Sequence, residues 1–435
     1  MNLRKTLLAA VVLTLSMEAQ EEPGVAVAAT EGHIWETSIT FSAADARKAV
    51  AIGVVYGMGG NANVQPFYTD DGGRTWHYGG KLGYTTARRT YVRHGDPVVA
   101  SDRRGVMYAA TLIGAPNTYP LRYSGIGVSR SFDNGKTWDG PFGVVERTPQ
   151  DSPRYADDKE WISIDTTGGP HDGNLYVTWI RARSNNSGPA EGVFSRSTDG
   201  GVTWSPEVVL GNGSGGQISI GPNGELHVLR TCGDNYYCSQ LSTDGGVTFE
   251  APVRIAPSAT FLSNAVDVSN GPNRGTVYMA WIASITGPQL SRSWIGTVYF
   301  TRSPDGGRSW EAPRAMTQVG SGTALLQTVA SDPITGDLVL TWLDRREHPG
   351  TKKFRLYSTR STDGGRTFSE PAPVTPVIDM AGDAFIGDYN TTAAYNGVFL
   401  STFSDGLGKM SVARLVFEPK VPEAPSGPRR RSVRH

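Results

Sequence analysis

The chain has 435 residues and balances 41 basic against 41 acidic side chains, so it offers no net electrostatic footprint for a nucleic acid. With 53 glycines and 10 tryptophans, and without long alanine-leucine-glutamate stretches, it favours short strands joined by many turns over helices.

In chain order, the first expected element is an export signal. Arg4 and Lys5 precede an apolar run from Leu7 to Leu15 and then small residues, with cleavage after Ala19 or near Ala28 or Ala29. Residues 1–29 are therefore assigned to the signal and a short segment after it. That run is too short to anchor a chain in a bilayer, and no later stretch is apolar for eighteen residues. The expectation is a monomer that is secreted, periplasmic or held at the cell surface.

From residue 30 to 417 the chain repeats one grammar, read as a single domain. An alternating strand, a glycine-bearing turn and a β-rich strand with aromatic residues recur, as in "ETSITFSAADARKAVAIGVVYG" (36–57) and "GDPVVASDRRGVMYAATL" (95–112). A third strand then runs into an eight-residue box and a fourth leaves it. The boxes are "TDDGGRTW" (69–76), "SFDNGKTW" (131–138), "STDGGVTW" (197–204), "STDGGVTF" (242–249), "SPDGGRSW" (303–310) and "STDGGRTF" (361–368). Their spacing of 62, 66, 45, 61 and 58 residues marks a propeller or array. The reading is all-β, a β-propeller of four-stranded antiparallel blades with a box between each third and fourth strand. Seven blades are favoured. Six is the alternative, with residues near 34–42 supplying the outer strand of the last blade.

Within each box the aspartate, at Asp71, Asp133, Asp199, Asp244, Asp305 and Asp363, can accept hydrogen bonds from its own turn. The glycines supply backbone angles that other residues reach only with strain. Every part closes a hairpin and none activates a nucleophile. Cys232 and Cys238 flank "GDNYY" in an expected hairpin loop, and in an oxidising compartment the expectation is one local disulfide, with two free thiols or half of a metal site as the alternative. The tail "EPKVPEAPSGPRRRSVRH" (418–435) is proline-rich and then basic, and is expected to be disordered.

The box S/T-x-D-x-G-x-T/S-W/F resembles the Asp-box, or bacterial neuraminidase repeat, and six copies over 69–368 make the chain similar to the Asp-box propellers of the sialidase superfamily. The resemblance implies a glycan or glycoconjugate substrate. It also implies an Asp acid-base, a Tyr nucleophile activated by Glu, and three arginines clamping the sialic-acid carboxylate. The F/Y-R-I-P motif of classical sialidases has no match ahead of the first box; "VRIAP" (253–257) follows the fourth.

Strand order places the working mouth on the face opposite the boxes, where first strands begin and second strands end. Tyr389 is the expected nucleophile, Glu160 its partner and Asp96 the acid. Arg183, Arg230, Arg345 and Arg346 are the expected clamp, with Asp388, Asn264 and Gln327 as further substrate contacts. This gives a secreted sialidase-like hydrolase acting on sialic acid or another acidic glycan; a non-catalytic glycan- or protein-binding propeller is the alternative. No cofactor is called for. The scattered histidines supply no zinc set, and no ligand spacing singles out calcium among the carboxylates.

Overall fold

The computed structural model describes residues 22–28, 33–56, 62–114, 125–148, 155–183, 188–233, 235–283, 295–380, 386–405 and 409–417. The expected signal segment ahead of residue 22 and the tail 418–435 lie outside the described residues. No helix among the described residues is long and apolar enough to cross a membrane.

Seven antiparallel sheets follow one another around an axis, so the fold is a seven-bladed β-propeller. Blade I runs His33–Phe41, Ala49–Tyr56, Ala62–Thr69 and His77–Tyr78, from the axis outward. Blades II to VI begin with the inner strands Arg93–Ser101, Tyr155–Ile164, Gln217–Ile220, Leu262–Val266 and Ala324–Ser331. Blade VII has Thr392–Tyr395, Val398–Ser404 and Lys409–Val416, and its outer strand is Glu22–Ala28, paired antiparallel with Lys409–Val416. The ring is thus closed by residues ahead of position 30, where the propeller was expected to begin. Residues 34–41 belong to the inner strand of blade I and not to an outer strand of the last blade, which removes the six-bladed alternative.

Hydrophobic side chains interdigitate between neighbouring sheets. Trp179 and Trp342 are fully buried, and Phe300 of blade V packs with Leu338 and Leu340 of blade VI. Cys232 and Cys238 are joined, bracing the second and third strands of blade IV.

The boxes act as hairpin clasps. Asp199 accepts from the backbone N–H groups of Val202 (3.1 Å) and Thr203 (2.9 Å) and from the Thr203 hydroxyl, while the Ser197 hydroxyl donates to it at 2.8 Å. Gly201, at φ 83°, lies where only glycine is unstrained. Partial burial works against the charge of these aspartates, but the threonine and serine hydrogen bonds outweigh it and hold Asp71, Asp244 and Asp363 at about 2. Such depressed carboxyls contribute stability above their ordinary 3.8, and lose it as pH falls towards 2.

The boxes also latch neighbouring blades. An arginine on a third strand donates to the carbonyl of the first box glycine in the next blade. The pairs are Arg130 to Gly200 (3.2 Å), Arg196 to Gly245 (3.0 Å), Arg302 to Gly364 (2.8 Å) and Arg414 to Gly72 (2.9 Å). We expect Asp199→Ala to cost about 1 kcal/mol of stability and to leave the opposite face unaltered, as a thermal melt and a circular-dichroism spectrum would show. A loss of ligand binding at the far mouth would contradict this division of labour.

Candidate functional site

The inner strands of blades I, II, III and VI each break their alternation at the same height. Register shifts fall between Trp35 and Ser38, Gly95 and Val98, Asp158 and Trp161, and Leu325 and Thr328. At each bulge a non-glycine residue adopts left-handed backbone: Glu36 (φ 53°), Asp96 (φ 44°), Lys159 (φ 51°) and Leu326 (φ 52°). That conformation costs roughly 1–2 kcal/mol for a residue with a Cβ. Four such residues at equivalent positions mark a feature kept for what it aims, as bulges beside active sites do.

What the bulges aim is a charge cluster at the mouth opposite the Asp-boxes. The Lys159 ammonium lies 2.7 Å from Glu36 Oε1, 2.9 Å from Asp96 Oδ2 and 3.0 Å from Asp388 Oδ2, which come from blades I, II and VII. Burial works against the lysine's charge, but Asp96, Glu36, Asp388 and Asp158 outweigh it and hold its pKa well above 10.5. Among the described residues no group of three or more His, Cys, Asp or Glu side chains is arranged to hold a metal ion. The point where these three carboxylates converge is occupied by an ammonium of the chain itself.

The neighbouring acids sit in a different environment. Glu160 is 1 % exposed and neither carboxyl oxygen has a hydrogen-bond partner. Desolvation, and then the charge of Asp96, push its pKa well above the ordinary 4.5. Glu36 is raised likewise by burial and by the charge of Asp96. Asp158 has an exposed side chain, and desolvation and then the charge of Asp96 push it up to about 7.

Beside the cluster opens a cavity of about 260 Å³, lined by Lys159, Glu160, Trp161, Phe261, Tyr389 and the neutral polar side chains of Ser214, Gln217, Thr231 and Thr260. Its walls are aromatic. Trp161 and Tyr389 meet edge to face at 6.0 Å, and the Lys159 ammonium lies 5.2 Å from the Tyr389 ring and 5.4 Å from that of Phe261.

The structure brings Glu160, Asp96, Asp388 and Tyr389 to one mouth, but it does not pair Tyr389 with Glu160. Tyr389 donates its hydroxyl to the Pro97 carbonyl at 3.1 Å, and Glu160 does not receive it. Burial, and then the charges of Glu36 and Asp96, hold the tyrosine well above its ordinary 10. Gln327 reaches the mouth wall but spends its amide nitrogen on the carbonyls of Phe261 (2.9 Å) and Ala280 (3.3 Å). Asn264 lies lower, in the channel section of about 630 Å³ near the Asp-box face, where its amide donates to Ser219 Oγ at 3.1 Å.

The arginine clamp is not assembled. Arg230 is buried in blade IV and donates to the carbonyls of Leu210 (2.6 Å) and Asn212 (2.9 Å) and to Gln240 (3.1 Å). Burial lowers its pKa to about 10. Arg345, 7 % exposed, donates to the Thr351 carbonyl. Arg346 is held by Asp344 at 2.6 and 2.8 Å and lies over the Tyr357 ring at 4.5 Å. Arg183 is exposed at the end of the second strand of blade III, and none of the four lines the cavity. A residue at a strand end can face a sheet interior, the rim or the axis, and strand order alone does not separate these. Sequence reasoning passed over Trp161 and Phe261. Two aromatics next to strand-one starts were the available signal.

The family described as BNR/Asp-box repeat matches residues 67–78. A curated xyloglucanase from Hypocrea jecorina (strain QM6a) is 30 % identical over 165 residues, which cover 33 % of this chain and 19 % of that protein. The chain therefore spans about a fifth of that relative's length. Among solved structures, Hadza microbial sialidase Hz136 superposes with a TM-score of 0.52 at 15 % identity, covering 82 % of this chain and 73 % of the other. Penicillium chrysogenum α-L-arabinanase, solved with arabinobiose, superposes with a TM-score of 0.50 at 11 % identity, covering 92 % and 98 %. At these identities the likeness is one of fold.

Proposed function

We propose that this chain, an Asp-box β-propeller, is an exported glycoside hydrolase that cleaves its substrate at the mouth opposite the boxes. One observation carries the reading: carboxyls in one mouth are held in different ionisation environments. Glu160 lies in a desolvated wall of the cavity that, with the charge of Asp96, raises its pKa well above the ordinary 4.5, whereas Asp96 is ion-paired with Lys159. Two carboxyl groups separated in this way supply the acid and the base, or nucleophile, that glycoside cleavage requires.

In this scheme Glu160 donates its proton to the departing glycosidic oxygen. Asp96 takes a proton from the attacking water, or attacks the anomeric carbon itself. Lys159 positions Asp96, and the rings of Trp161, Phe261 and Tyr389 stack against the apolar face of a sugar. The names of the similar proteins, a sialidase, an arabinanase and a xyloglucanase, support a glycan as substrate. They do not favour sialic acid over another sugar, and the dispersed arginines leave a sialoside without its expected clamp.

The test is incubation with a panel of unactivated α- and β-linked oligosaccharides, sialosides included, followed by product analysis. Turnover of at least one member is expected, with Asp96→Asn slowing it by about 10²-fold or more. Binding without turnover of any member would overturn the hydrolase reading in favour of a non-catalytic glycan-binding propeller, which an aromatic-walled cavity would serve equally well.

A further inference from the structure

We infer that the mouth accepts an uncharged sugar ring and rejects sugars bearing a carboxylate; the inference rests on the glycan reading and names its substrate class. The residues facing the cavity set the charge it can tolerate. Its polar lining consists of the neutral groups Ser214, Gln217, Thr231 and Thr260, the buried carboxyl of Glu160 and the ammonium of Lys159. That ammonium is already shared among Glu36, Asp96 and Asp388 at 2.7 to 3.0 Å, so the cluster around it carries more acid than base. Asp158, on the same strand as Lys159, adds a fifth acidic side chain beside the cluster.

An incoming carboxylate would meet these acids and, among the described lining residues, no uncommitted cation. It would also stand beside Glu160, whose two oxygens are buried without partners. A protonated carboxyl there both donates and accepts, and a sugar hydroxyl answers both, whereas a carboxylate can only accept. The aromatic walls add area for the C–H face of a ring without asking for charge. The cavity of about 260 Å³, just below the usual range for ligand sites, suits one ring better than a chain segment.

The experiment compares matched pairs that differ only in a carboxylate, by calorimetry on the intact protein. Neutral gluco-oligosaccharides are set against the same chains ending in glucuronic acid, and galacto-oligosaccharides against the same chains ending in galacturonic acid. At least one neutral member is expected to bind 10-fold or more tightly than its acidic partner, and added salt should narrow the gap, because like-charge repulsion is screened. Equal or tighter binding of the acidic members overturns this inference and leaves the glycan reading standing. A gap that salt does not change overturns the electrostatic basis of the discrimination. Binding of neither member, across all pairs, overturns the glycan reading and this inference together.

Discussion

Glu160→Gln is expected to slow turnover by about 10²–10⁴-fold and, in the same molecule, to make the fold more stable at neutral pH. The kinetic part follows from the proton it carries: a positioned general acid contributes about 10²–10⁴-fold, and glutamine cannot donate in its place. The stability part follows from linkage. Glu160 has a pKa raised on folding, so above the ordinary 4.5 the unfolded chain releases a proton that the native chain keeps. Its stability contribution is complete at low pH and declines as pH rises from that value towards the native one. At pH 7 this is a penalty, and glutamine removes it. Thermal melts should show the variant ahead of the parent at pH 7 and level with it near pH 4. A variant that is less stable at pH 7, or ahead by the same margin at both, would show that Glu160 is not held protonated.

Lys159→Met should be the most damaging single change at the mouth. Methionine fills most of the volume but leaves Glu36, Asp96 and Asp388 facing one another without their shared cation. Breaking a buried pair from one side costs about 3–5 kcal/mol, because the remaining charges stay desolvated. The sign with pH is again fixed. Stripped of the ammonium, the carboxyls take up protons more readily in the folded state than in the unfolded one. The deficit is then largest at neutral pH and shrinks as acid neutralises them. Melts of parent and variant at pH 4.5 and 7.5 check this. A deficit of equal size at both would mean that Lys159 contributes packing and not charge compensation.

Much of the fold was legible because the boxes are local chemistry. Asp199, Gly201 and Thr203 need only one another to close a hairpin, so the motif that encodes the turn also encodes the strand order and the blade period. The outer strand of blade VII was not legible. Residues 22–28 carry no box and follow an apolar run, and their partner, Lys409–Val416, lies nearly the whole chain away. At the mouth, Asp96, Glu160, Asp388 and Tyr389 were found because first strands must begin there.

Their roles were not legible, because the bulges break the period on which side-chain direction is read. One shifted residue at Lys159 turns its ammonium towards three other blades, and no spacing in sequence announces that. The arginines failed for a related reason. Arg230 lies near a strand end, yet its guanidinium satisfies the carbonyls of Leu210 and Asn212 on the outer strand of blade III, a demand set by packing.

The central claim is that Glu160 is the proton carrier at this mouth, beside carboxylates paired with the Lys159 ammonium. Infrared difference spectroscopy of the parent against Glu160→Gln at pH 7 tests it most directly. The account predicts a protonated-carboxyl C=O band that is present in the parent and missing from the variant. A difference spectrum showing only the loss of an ionised carboxylate would contradict it.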